Sequence, residues 1–134
     1  MRSTLIIVMM SLLVACGSTA PGTSIPKQEW QDIIVEVQSQ PAPVQPGMNE
    51  FLVLATEKRG RPVHDLVVSM RIRADEPWHQ AIQDGFSGVY RRALGVAASD
   101  TDLAVQLRRK HDNAETELHF SLLPSQQIPS SESK

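Results

Sequence analysis

The chain carries one cysteine in 134 residues. No disulfide can form within it, and no thiolate metal cluster can be assembled from its own side chains. No apolar run approaches the roughly 20 residues that a membrane-spanning helix needs. The run at residues 5–14 is the nearest, and Ser11 interrupts it. Basic charge is not in excess: 13 Lys and Arg stand against 15 Asp and Glu, a net of −2. That balance lacks the basic footprint with which proteins neutralise phosphate backbones, and argues against a nucleic-acid partner. No internal repeat of solenoid period is visible. The G-x-S-x-G, H-E-x-x-H and P-loop signatures are missing, so no motif announces a nucleophile elbow, a zinc hydrolase or a phosphate cradle. The length suits one small domain with tails.

What is there begins at the N-terminus. Arg2 is followed by the short apolar run, which has the length of a signal-peptide core. It ends in Leu13-Val14-Ala15-Cys16, which resembles the lipobox of bacterial lipoproteins. The resemblance implies removal of residues 1–15 and lipid on Cys16. Two or more acyl chains anchor a protein stably, because each buried methylene contributes about 0.8 kcal/mol. The expected location is exported and lipid-anchored, facing the periplasm or the cell exterior. Gly17, in place of an Asp there, is compatible with an outer membrane. Residues 17–28 are polar and read as a tether, and residues 124–134 as a disordered tail.

Residues 29–123 are punctuated like an all-β domain. Alternation puts Ile33, Val35 and Val37 on one face, then Phe51, Val53 and Ala55, then Leu66, Val68, Met70 and Ile72. Residues 78–83 form a shorter strand candidate, and Asp84-Gly85 is a hairpin signal before a strand at 86–94. Leu103, Val105 and Leu107 alternate, as do Leu118, Phe120 and Leu122. About seven short strands at this spacing predict an immunoglobulin-like antiparallel β-sandwich.

The order QPGMNEFLV, GRPVHDLVV, GVYRRAL and DLAVQL resembles the YtkA-like and FixH-like group of exported immunoglobulin-like domains, over residues 44–107. The resemblance implies copper handling or assembly of respiratory oxidases. In many members a segment like M-P-x-M-x-H follows the third strand. Here Met70 and His79 bracket that place, Arg71 and Arg73 have entered, and the second Met is missing. The Trp of the last motif is replaced by Asp102.

Three kinds of site follow. His79, Met70 and His64 are the candidate metal ligands, thioether and imidazole being suited to Cu(I). His64 and Met70 share parity along one strand, yet Leu66, Val68 and Ile72 on that side make Met70 a core filler as well. Trp78, Arg71 and Arg73 are the candidate protein-binding residues, Trp and Arg being common interface anchors. Asp75, Glu76 and His79 lie close enough in sequence for acid–base work, but no nucleophile accompanies them. The sequence therefore leads to a non-catalytic envelope module without cofactor, held on a membrane by lipid and bound to another envelope protein, with copper handling as the alternative.

Overall fold

The computed structural model describes residues 25–123. The signal segment 1–15, Cys16 and the tail 124–134 lie outside the described residues. Nine strands and no helix occur among the described residues. They are β1 (Gln28–Trp30), β2 (Ile33–Gln40), β3 (Gly47–Glu57), β4 (Leu66–Arg71), β5 (His79–Gln80), β6 (Ile82–Gln83), β7 (Val89–Val96), β8 (Asp102–Arg109) and β9 (Glu115–Ser121). One sheet has the order β1-β2-β3-β7-β6 and the other β5-β4-β8-β9, and every pairing is antiparallel. Within it, β2-β3-β7-β6 facing β4-β8-β9 reproduces the A-B-E-D against C-F-G arrangement of immunoglobulin-like sandwiches.

The core lies where the alternation placed it. Val35, Val53, Val68, Val105 and Leu107 are fully buried between the sheets, with the rings of Phe51, Tyr90 and Phe120 filling the largest volumes. Burying such a side chain contributes roughly 1.5–3 kcal/mol. Two buried polar groups fix the chain between strands. Tyr90 donates its hydroxyl hydrogen to the Val63 carbonyl (2.9 Å) and accepts from the Leu66 amide (3.4 Å). Asn49 accepts from the Gln45 amide (3.1 Å) and donates to the carbonyls of Gln45 and Gly47. At Gly88, with φ of 75°, an added Cβ would stand 2.6 Å from the Ala55 carbonyl oxygen, so only glycine fits that approach.

Four expectations are corrected. Gln28 already pairs in β1 and Ile25 packs against the core, so the domain begins inside the stretch assigned to the tether. Residues 78–83 are not one strand. His79 and Gln80 pair with β4, Ala81 donates to the Val68 carbonyl (2.8 Å), and Ile82 and Gln83 pair with β7. The segment carries the chain from one sheet to the other, pivoting on a small buried alanine. Phe86 lies in the turn before β7 and is exposed, the strand beginning three residues later at Val89. His64 does not continue the parity of β4. Pro62 bridges to Thr56 and the Val63 amide bonds to Ala55, so this stretch still belongs to the first sheet.

The lateral sides are closed differently. The β5–β6 crossover seals one. On the other, Gln28 of β1 donates to the His119 carbonyl of β9, and Arg109 reaches Asp32 (2.7 Å) while lying 5.4 Å from the Trp30 ring. The loops at 41–46 and 97–101 and the segment 122–123 gather at one end, lining a common cleft. The chain enters β1 heading away from that end and leaves β9 heading toward it. The turns at 57–65, 84–88 and 110–114 occupy the opposite end.

Candidate functional site

The outer face of the four-stranded sheet carries a connected polar row. Register sets Arg71 of β4 beside Ala104 of β8, and Ala104 beside His119 of β9. The methyl group of Ala104 leaves the floor between the two long side chains open. Glu117 sits one step along β9, with its carboxylate 3.8 Å from Arg71 Nη2 and 3.1 Å from His119 Nε2. His119 Nδ1 lies 2.6 Å from Asp102 Oδ2 on β8. The other end of the row is Trp78, whose ring stacks against the Arg71 guanidinium at 4.1 Å. Such stacking contributes about 0.5–1 kcal/mol at an exposed site and more where water is excluded. Arg71 also donates to the Ala74 carbonyl (3.1 Å), while its buried Nε has no hydrogen-bond partner. The aromatic ring and one backbone carbonyl hold this guanidinium in place.

The charges are matched along the row. The hydrogen bond to Asp102 raises the His119 pKa above its ordinary value, and the Asp102 and Glu117 charges add to the effect. His119 is therefore cationic to a higher pH than a free imidazole. The arrangement is a flat surface of fixed, alternating charge. It is suited to recognition by hydrogen bonds and ion pairs, and it offers no enclosed reaction chamber.

The row ends at an open strand edge. Arg109 donates to the Ala114 carbonyl and Leu122 to the Thr101 carbonyl (both 2.9 Å), and both bonds follow the β8–β9 ladder. Pairing alternates along an antiparallel ladder, so Thr116, Leu118 and Phe120 turn their backbone groups to β8. Glu115, Glu117, His119 and Ser121 turn theirs outward. The only side chain seen on this edge among the described residues is Gln28, on the His119 carbonyl.

Of the candidate protein-binding residues, Trp78 and Arg71 are brought together. Arg73 turns the other way and is held by Glu76 and by Asp100 (2.6 Å). The candidate metal ligands do not converge. Met70 and His79 are register partners across β4 and β5, but Met70 is 0% exposed within the core. His64 stands at the opposite end of β4, its ring edge-on to Phe86 at 5.2 Å. These residues do not make a chelating set for copper, and no group of three or more His, Cys, Asp or Glu among the described residues does so either. Of the residues considered for acid–base work, Glu76 is tied up by Arg73. His119, Asp102, Glu117 and Gln28 are the residues that sequence reasoning missed as a group. The T-E-L-H-F alternation places Glu117 and His119 on the outer face, but only the order β4-β8-β9 brings Arg71 to them. No family model, curated protein or solved structure matches this chain.

Proposed function

We propose that this chain is a lipid-tethered, non-catalytic envelope protein that binds an extended segment of another envelope protein along the open edge of β9. The observation that carries the reading is the Trp78–Arg71–Glu117–His119 row leading onto a strand edge with outward backbone donors and acceptors. Strand addition supplies backbone hydrogen bonds, and side chains on the adjoining face supply selectivity. The carboxylates of Glu115 and Glu117 beside that edge favour a segment with Lys or Arg at the facing positions. The lipobox at Cys16 supports the membrane tether, and the immunoglobulin-like strand order is compatible with the resemblance to YtkA-like and FixH-like domains. The copper chemistry of that resemblance has no suitable ligand set in His64, Met70 and His79, and no part of the reading uses it.

The test is a substitution that removes an outward donor together with one carboxylate of the row. The Glu117 amide does not serve the β8 ladder, so Glu117→Pro deletes one hydrogen bond to an added strand and blocks its close approach. A photo-crosslinker at position 119 should trap one partner in intact envelopes. One at position 59 should not, and Glu117→Pro should abolish the adduct while the purified domain keeps its cooperative unfolding. A partner trapped equally from both positions, or one indifferent to the proline, would overturn the assignment.

A further inference from the structure

The two ends of the sandwich differ in chemistry, and we infer that the end from which the described chain enters and leaves is seated in the headgroup–acyl boundary of the membrane. The inference rests on the reading of Cys16 as a lipidated residue. Residues 41–48 (PAPVQPGM) contain no charged side chain. Beside them stand Ala97, Ala98 and the end of the described chain at Leu123, together lining a shallow cleft of about 170 Å³. Met48 and Leu123 are 68% and 57% exposed, two of the four large apolar side chains left in water. The opposite end carries Lys58, Arg59, Arg61, Asp65, Lys110, His111 and Asp112.

Side-chain polarity alone would not seat a loop in lipid, because unpaired backbone groups cost free energy on leaving water. Here much of that cost is already met within the chain. Pro41, Pro43 and Pro46 have no N–H. The Gln45 amide and the carbonyls of Gln45 and Gly47 are bonded by buried Asn49. Ser39 donates to the Pro41 carbonyl (3.0 Å), and the Ala97 amide bonds Asp100 (2.7 Å). Asp100 is itself paired with Arg73, which also binds Glu76. These residues, with Asp75 and the Asp102–His119 pair, form a charged rim beside the uncharged loops.

The occupant follows from the chain's own geometry. Nine peptide steps separate Cys16 from Ile25, which limits their separation to about 30 Å in any conformation. A lipid on Cys16 therefore keeps this end within reach of the bilayer, and the apolar loops meet it first. Seated this way, the strands stand away from the membrane and the β9 edge remains open to a partner at the side.

The test uses the full mature chain, purified from membranes and placed in phosphatidylcholine nanodiscs. Lipid blocks the only native thiol, so an introduced cysteine takes a nitroxide label alone. Labels at Val44→Cys and Ala98→Cys should collide with dissolved oxygen relative to a water-soluble nickel chelate several-fold more often than a label at Arg59→Cys. Adding Leu123→Asp and Met48→Asp should bring the first two labels down to the third. Equal ratios at all three positions, with Cys16 lipidated by mass spectrometry, would overturn the seating alone. An unmodified Cys16, visible as a second labelled site, would overturn the lipoprotein reading and the seating with it.

Discussion

Tyr90 shows how much a single polar atom can organise. Its hydroxyl bonds the Val63 carbonyl and the Leu66 amide, where the chain passes between sheets and β5 has not begun to pair with β4. Tyr90→Phe keeps the ring and leaves both groups unpaired, so a loss of about 1–3 kcal/mol is expected from urea unfolding. Gly88→Ala should cost at least as much, because its methyl group would meet backbone at 2.6 Å and its φ is positive. His119 gives a pH dependence with a defined sign. Its folded pKa lies above the ordinary value of 6.5, with the Asp102 hydrogen bond as the main cause. The stabilisation is complete below the unfolded pKa and is lost as pH rises through the folded one. Urea midpoints should therefore fall between about pH 6 and about pH 8, and should do so less in His119→Gln. A midpoint difference between the two proteins that stays constant with pH would contradict this.

At the scale of elements, legibility in the sequence followed alternation. Ile33, Val35 and Val37 in β2, Phe51, Val53 and Ala55 in β3, and Leu103, Val105 and Leu107 in β8 are buried as their period required. Elements with no period to read were missed. Gln28–Trp30 is too short to alternate, and the crossover at Ala81 changes partner sheets in the middle of a run. Phe86 resembles a strand residue by composition, but Ser87 bonds Asp84 through both its amide and its hydroxyl and closes a turn there. The site was half legible: Arg71 and Trp78 stood out as rare interface residue types, while their link to His119 depended on pairings about 50 residues away in sequence. These differences bear on stability. Leu107→Ala in the centre of β8 should cost about 2–5 kcal/mol. Ile82→Ala, at an exposed position, should change the urea midpoint little. Amides of the two-residue strands β5 and β6 should exchange with deuterium well before those of Val53 and Ala55 in β3.

At the scale of the whole molecule, three surfaces lie apart. One end gathers the uncharged loop 41–48, the opposite end carries Lys58, Arg59, Arg61 and Lys110 beside exposed Phe86, and the edge of β9 runs between them. With one cysteine in the chain, no internal disulfide holds the edges of the sandwich. Their closure rests on the β5–β6 crossover and on the contacts of Gln28 and Arg109 across the other side. That closure has a mechanical consequence, because β1 enters and β9 leaves on neighbouring edges at a shared end. Tension applied between residues 25 and 123 does not shear whole ladders at once. It peels these two edge strands, rupturing hydrogen bonds one after another, beginning with the Gln28–His119 contact. In an optical trap with handles at those positions the domain should yield at low force and refold readily. The same domain pulled from position 59 against position 123 should resist several times more.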